Sequence, residues 1–366
     1  MPKKSCASVL TDEGGFLQRR TFIKASAATA LLAPAWGALA RGQSNGQPAD
    51  GCGTAFVWQP MVPPPADVPA LNGHTDTIPD IVGRLGSRID LAIFTEGNHF
   101  PALLGGGIID AFRSWAKNHP DYAALPLDNI VIVTLPQPMI VSMLLGHAIS
   151  FGNLTLDVSR TSRFFPDIVM AGAMPLKALY KASMVEGKAR LFARNRGPAL
   201  VIPAGNPLGV HGLDDVARSD LRIVMASTSE PGARSQYIAA LEGLLGQQPT
   251  QAILTRETVS FTGRLGIQHR DVPYAVASRA AHVGIIYAHL AQYYAAAFPQ
   301  IFAKVTVPGA EQFSSTIALV TSVDPLRAAA AKAFSEYFLK AARDVYPRHG
   351  FAMMDAEEFG EEIALG

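Results

Sequence analysis

The sequence predicts an α/β fold with parallel-dominated sheets and helices on both faces. Three consecutive segments carry this prediction, because each has a short apolar strand, a polar loop and an apolar helical pattern: residues 88–112, 129–145 and 167–181. Buried parallel strands read as short continuous apolar runs, and successive strand–helix units build a parallel, helix-covered sheet.

The N-terminus has the layout of a secretion signal. Residues 18–24 carry Arg19 and Arg20, an apolar Ala-rich run covers residues 25–38, and a small-residue cleavage site ends at Ala40. The paired arginines, followed by Phe and Lys, resemble a twin-arginine signal that has Gln in place of the usual Ser or Thr. We therefore predict a signal peptide over residues 1–40, cleavage near Ala40, a periplasmic location and the twin-arginine export machinery as a partner. The alternative is a buried amphipathic helix.

Composition excludes several other classes of protein. The 31 basic and 30 acidic residues give a net charge of +1, and removal of residues 1–40 leaves 26 basic and 28 acidic residues, a net charge of −2. No basic stripe indicates a nucleic-acid partner. Cys6 leaves with the signal, so Cys52 has no internal partner for a disulfide. We expect a monomer without a cofactor.

The two ends of the remaining chain differ from its middle. Residues 41–87 are rich in Pro and Gly, which predicts a linker or a surface arm with little regular structure. Residues 352–366 are acidic and predict a solvated tail. We therefore expect the ligand site to lie between residues 88 and 351.

The loop after the first predicted strand forms one wall of a ligand site. Thr95 to His99 is polar and joins the strand to the following helix. In parallel α/β sheets such loops meet at the carboxyl ends of the strands, where helix N–H groups without partners face a crevice. This arrangement predicts a ligand site in the crevice but does not identify the ligand.

Five segments follow one another along the chain: an aspartate with an apolar strand and a small-residue loop (residues 166–173), a crossover strand (193–207), a loop and helix (229–237), a return strand (270–287) and a closing helix with Gly-Phe (333–351). In this order they resemble the periplasmic solute-binding proteins of ABC importers, specifically the molybdate- and tungstate-binding branch. The similarity covers roughly residues 88–351.

This resemblance implies a type II periplasmic binding protein fold, in which a two-strand hinge joins two lobes that clamp a ligand. On that basis residues 88–196 form the first part of lobe 1, residues 197–284 form lobe 2, and residues 285–351 return to lobe 1. The implied function is capture of a small solute, above all an oxyanion such as molybdate or tungstate, and its delivery to an ABC-type inner-membrane permease. No catalysis is implied.

Hydroxyl groups and backbone N–H groups at helix starts would hold such an oxyanion. The residues that we assign to ligand binding lie on the predicted crevice loops and the hinge strand: Thr95, Glu96, Asn98, His99, Gln137, Gly172, Ala173, Ser229, Gly232 and Tyr287.

Glu96 and Glu230 depart from this pattern. Both lie on predicted crevice loops, and a carboxylate beside a bound dianion is costly in a partly desolvated site. Either the two side chains turn away and cap helices, or the ligand is not molybdate.

Other ligands and one other function stay open. His99 with Glu96 permits a metal or an amine-bearing ligand, and His99 with Glu96 or Glu230 permits an exported metal-dependent enzyme. No histidine pair has the spacing of a helical zinc motif, so we predict no metal site. Arg234 and Arg270 suit an organic carboxylate, although surface salt bridges are the alternative for both.

Overall fold

A seven-stranded and a four-stranded sheet organise the chain in a computed structural model that describes residues 80–151, 154–228, 230–259, 267–269, 271–310, 313–321 and 324–366. All of these residues belong to one compact unit, Ala55–Gly366. The predicted signal peptide and the predicted arm up to residue 79 lie outside the described residues.

The strands are β1 (Asp80–Val82), β2 (Leu91–Thr95), β3 (Ile130–Thr134), β4 (Ala148–Phe151), β5 (Leu154–Asp157), β6 (Ile168–Ala171), β7 (Val185–Arg194), β8 (Pro198–Pro203), β9 (Ile223–Met225), β10 (Val283–Tyr287), β11 (Phe302–Thr306), β12 (Ser314–Val320) and β13 (Glu362–Ala364). The α-helices are α1 (Ile108–Lys117), α2 (Gln137–Leu145), α3 (Ala173–Lys181), α4 (Leu213–Val216), α5 (Pro231–Leu245), α6 (Gln247–Leu254), α7 (Asp271–Ala277), α8 (Ala288–Ala297) and α9 (Pro325–Arg348). A 3₁₀ turn (Gly97–His99) and a π-helical turn (Pro101–Gly105) join β2 to α1. No helix in the described ranges is both long and apolar enough to cross a bilayer.

The larger sheet has the order β1-β3-β2-β6-β12-β7-β13, and its strands β2, β3 and β6 are buried on both faces. In β2 the side chains of Leu91 and Ile93 pack with α1 and α9, whereas Ala92 and Phe94 pack on the opposite side with α2 and α3. Successive residues of a strand point to opposite faces, so a strand that is apolar at every position must be covered twice. This sheet and its helices form the first lobe.

The smaller sheet, in the order β11-β8-β10-β9, forms a second lobe with its own apolar core. Gly284 in β10 permits close packing here, because a Cβ atom at this position would lie 2.5 Å from Val272 and 2.6 Å from Val201. The predicted α/β fold is confirmed.

The expectation that parallel pairs dominate the sheets is wrong. β2 pairs in parallel with β3 and β6, and β10 pairs in parallel with β9, but the other neighbours in both sheets are antiparallel. The first three strand–helix units are parallel as the sequence indicates. In the larger sheet β1, which precedes these units, and β12 and β13, which follow the return from the smaller sheet, run in the reverse direction. Their apolar composition carries no sign of that direction.

The chain passes between the sheets at two places, after β7 (residues 195–197) and between β11 and β12, where residues 307–310 and 313 are described. Asn195 joins the two crossovers, because its Oδ1 accepts hydrogen bonds from the N–H of Gly197 at 2.9 Å and of Phe313 at 3.0 Å. The return to the first lobe that we predicted at residue 285 comes too early. β10, α8 and β11 belong to the second lobe, and the chain rejoins the larger sheet at β12.

Both predicted irregular ends contain regular structure next to the larger sheet. β1, at the end of the predicted arm, pairs antiparallel with β3. The predicted solvated tail is exposed at most of its acidic residues, but it is not irregular throughout, because β13 pairs with β7 and Leu365 is only 2% exposed. The sequence pattern missed this strand because acidic residues lie among its apolar ones.

Candidate functional site

A cavity of about 460 Å³ lies between the two sheets. The first lobe contributes loops that follow β2, β3 and β6, and the second lobe contributes the starts of α5 and α8. The crossover residues Asn195 and Phe313 also line it. The cavity therefore touches both lobes and the connections between them.

Helices α2, α3 and α5 have their N-termini at this cavity. Gln137 begins α2, Ala173 begins α3 after Gly172, and Pro231 begins α5 after Glu230. The first N–H groups of a helix lack partners within the helix and carry partial positive charge. The cavity thus offers backbone donors from both lobes.

Seven of the residues that we assigned from the sequence line the cavity: Glu96, Asn98, Gln137, Gly172, Ala173, Gly232 and Tyr287. Two of the loops that carry them are in direct contact, because the N–H of Gly172 donates to Gln137 Oε1 at 3.1 Å. A Cβ atom at Gly172 would lie 3.2 Å from that oxygen, so a larger residue would require the Gln137 side chain to shift.

Three assigned residues are not part of the described cavity wall. Thr95 and His99 are fully buried behind the wall, which corrects the expectation that they contact a ligand directly. Thr95 is the last residue of β2 and points inward, and His99 packs against the rings of Phe192 and Phe351. Ser229 lies outside the described residues.

Glu96 and Glu230 face the cavity from opposite lobes. Each precedes a helical turn, yet neither side chain caps it. Each carboxylate has a histidine beside it, at 3.5 Å for Glu96 and His99 Nε2, and in direct contact for Glu230 and His269 Nδ1. The capping interpretation is therefore wrong, and both carboxylates remain available to a ligand.

Buried tyrosines and glutamines complete the polar wall in the second lobe. Tyr287 donates its hydroxyl proton to Gln236 Oε1 at 2.7 Å, and the hydroxyl of Tyr237 contacts His269 Nε2. Burial raises the pKa of Tyr287 well above its usual value, and the carboxylates of Glu96 and Glu230 raise it further. Both tyrosines therefore stay protonated and act as neutral hydrogen-bonding groups near neutral pH.

A stack of five rings runs behind the cavity from one lobe to the other. The rings follow the order His269, Tyr287, His289, Phe351 and His99, and neighbouring planes differ by 14 to 20°. The centroids of His289 and Phe351 are 4.0 Å apart. Burial lowers the pKa of His289 well below its usual value, with His99 and His269 as further causes. This imidazole is therefore neutral in the folded protein.

Sequence reasoning missed several residues of the wall. Gln236 is one helical turn beyond Gly232, a spacing that could have indicated it. Tyr293 and Tyr294 follow on α8, and Ser314 and Ser315 begin β12. Nothing in the sequence around the two serines indicates a ligand site, because only the pairing of β12 with β6 brings them to the cavity.

The charges at the described cavity wall are negative. Glu96 and Glu230 line it, and no Lys or Arg side chain does so among the described residues. Arg234, a candidate carboxylate ligand, instead forms two hydrogen bonds of 2.6 and 2.7 Å with the buried Glu257. Arg270 lies outside the described residues. Across the described ranges no group of three His, Cys, Asp or Glu side chains is placed to hold a metal ion.

An α/β protein with a cavity between two sheets has the architecture of a ligand-binding protein. A family model described as bacterial extracellular solute-binding protein matches residues 152–352, which is more than half of the chain. The chain belongs to this family. Membership makes it a solute-binding protein, not an enzyme, and implies export from the cytoplasm.

Several solved structures are similar to the chain. A substrate-binding domain of a putative molybdenum ABC transporter from Clostridium difficile is 12% identical, with a TM-score of 0.47 over 72% of this chain and 99% of that one. The sulfate-binding protein SubI from Mycobacterium tuberculosis is 17% identical, with a TM-score of 0.49 over 73% and 87%. Iron-bound HitA from Pseudomonas aeruginosa is 15% identical, with a TM-score of 0.48 over 74% and 88%. No curated protein sequence matches the chain.

Proposed function

We propose that this protein captures a small organic solute outside the cytoplasmic membrane and delivers it to an ABC-type permease. The observation that carries the proposal is the cavity of about 460 Å³ between the lobes. Its size falls within the range of about 300–1,000 Å³ that is typical of organic ligand sites. Its wall combines apolar side chains such as Leu290 and Phe313 with a few polar groups. Closure of the lobes around the solute would give the permease a form to recognise.

An oxyanion such as molybdate or tungstate is the second candidate. The starts of α2, α3 and α5 support it, because helix N-termini favour anions. A tetrahedral oxyanion would fill only a small part of the cavity, and the two carboxylates would repel it. An organic carboxylate meets the same repulsion, and a metal-containing ligand would rely on few described side chains.

The test is thermal unfolding in the presence of organic amines, amino acids, organic acids and the oxyanions molybdate, tungstate, sulfate and phosphate. A ligand at about 100 times its Kd stabilises the folded state by about 2.7 kcal/mol, which raises the Tm by several degrees. We expect an organic solute to do so. Stabilisation by oxyanions alone would favour the second candidate. A protein that no solute stabilises, and that carries no solute when it is exported, would contradict the proposal.

Two glycines of α5 provide a matched pair of variants. A Cβ atom at Gly232 or at Gly243 meets no heavy atom within 4 Å, but only Gly232 lines the cavity. Gly232→Phe is therefore expected to fill the cavity and abolish the ligand-induced rise in Tm. Gly243→Phe should keep it. Equal responses from both variants would place the ligand elsewhere.

We further propose export through the twin-arginine route, with cleavage near Ala40. The signal-like pattern of residues 18–40 supports this route. Changing both Arg19 and Arg20 to Lys is expected to hold the protein in the cytoplasm, as measured by cell fractionation. Changing Lys3 and Lys4 to Arg is the control, and export of the double Arg→Lys variant at the normal level would contradict the proposal.

A further inference from the structure

The surroundings of Glu96 and Glu230 indicate the charge of the ligand group that these two carboxylates would contact. Glu230 is 8% exposed, and His269 Nδ1, in contact with its Oε2, is the sole partner of this carboxylate among the described residues. Glu96 has a side chain that is 13% exposed, with His99 Nε2 at 3.5 Å as its sole partner in the described ranges. Buried carboxylates normally have arginine, lysine or several N–H donors as partners. Among the described residues neither carboxylate has such a partner, although both face one cavity.

The two carboxylates also come from different lobes. Glu96 follows β2 of the larger sheet, and Glu230 immediately precedes α5 of the second lobe. Like charges on facing walls repel each other most strongly where water is scarce. A positive charge placed between them would remove this repulsion and attract both walls at once.

The remaining wall suits an organic cation better than a bare metal ion. The rings of Tyr293 and Phe313 line the same cavity, and aromatic faces attract ammonium groups. No third carboxylate, histidine or cysteine in the described part of the chain completes a metal site with the two glutamates. Asn98 adds a buried Oδ1 without a hydrogen-bond donor, which an ammonium N–H could supply.

We infer that the solute carries an organic ammonium group, and that Glu96 and Glu230 hold this group between the two lobes. The inference rests on the proposed function and names the chemical class of the solute. It also gives closure a cause, because the same group pairs with a carboxylate on each lobe.

The experiment measures thermal unfolding and titration calorimetry with choline, glycine betaine and putrescine, against molybdate, sulfate and succinate. We expect at least one of the three ammonium compounds to bind wild type. Glu96→Gln and Glu230→Gln should each weaken that binding tenfold or more while the ligand-free Tm stays close to that of wild type. Glu242→Gln is the matched control, because Glu242 is an exposed residue of the same helix as Gly232 and does not line the cavity.

Stronger binding of an anion, or ammonium binding that is unchanged in both cavity variants, would overturn the inference while leaving the proposed function intact. If no compound of either set binds, native mass spectrometry of the exported protein decides the case through the charge of the co-purified solute. A cationic or zwitterionic solute supports the inference, and an anionic or neutral one overturns it. A protein that binds nothing and carries nothing overturns the inference and the proposed function together.

Discussion

Glu96 and His99 lie three residues apart on one loop, yet the structure gives them different surroundings. Glu96 lines the cavity, whereas His99 is buried among aromatic rings. The sequence locates the loop, because a polar segment between a strand and a helix must lie at the end of the sheet. It does not specify which side chain of the loop faces outward. That choice depends on the rings of Phe192 and Phe351, which come from distant parts of the chain.

His289 leads to a prediction about acid stability. Its pKa is lowered well below 6.5 in the folded protein by burial, and by His99 and His269. The unfolded chain therefore binds a proton that the folded protein does not, so stability is lost as the pH falls through the unfolded value of 6.5 and below. One such proton gives a slope of up to about 1.4 kcal/mol per pH unit.

The variant His289→Phe keeps a ring between Tyr287 and Phe351 and removes the titrating group. Its free energy of unfolding in urea should fall less than that of wild type between about pH 7 and pH 5, by about 1–2 kcal/mol. The exposed His211 supplies the control His211→Gln, whose pH dependence should match wild type. A wild-type slope that persists in His289→Phe would contradict the assignment.

At the scale of elements, the sequence predicts local units better than the partners of late strands. The units β2–α1, β3–α2 and β6–α3 can be recognised because apolar strand, polar loop and helix follow each other closely. β12 and β13 pair with β7 although they lie far from it in the sequence, and their own residues do not indicate that partner. The acidic composition of the last residues concealed β13 for the same reason.

The C-terminal strand leads to a prediction about stability. Leu365 is 2% exposed and packs in the core between the larger sheet and helices α2 and α3, whereas Glu362 forms exposed ion pairs with Lys188 and Arg190. Leu365→Ala should cost about 2–4 kcal/mol, because it removes buried apolar volume. Glu362→Ala should cost clearly less, because exposed ion pairs contribute little. Urea denaturation measures both, and equal losses would show that the charges hold the strand.

At the scale of the whole molecule, two crossovers and one cavity connect the lobes. The first crossover, residues 195–197, coincides with the boundary that we predicted between lobe 1 and lobe 2. The second crossover is later than predicted, because the apolar residues of β10 suit either sheet and only its pairing with β8 and β9 settles the choice. The cavity was predicted as a meeting of loops, but its volume and its negative charge required the assembled structure.

A solute held at this cavity contacts both halves of the protein, because each lobe contributes a carboxylate to the wall and the ring stack runs from one lobe to the other. Without a solute, Glu96 and Glu230 line the cavity from different lobes, and a histidine is the one partner of each among the described residues. Binding and closure should therefore be coupled through the same groups.

A high-resolution crystal structure of the exported protein, purified without removal of its solute, tests this account most directly. We predict density for one organic molecule in the cavity between the sheets, with contacts to residues of both lobes that include Glu96 and Glu230. Density for a solute bound to a single lobe or outside the cavity would contradict the account.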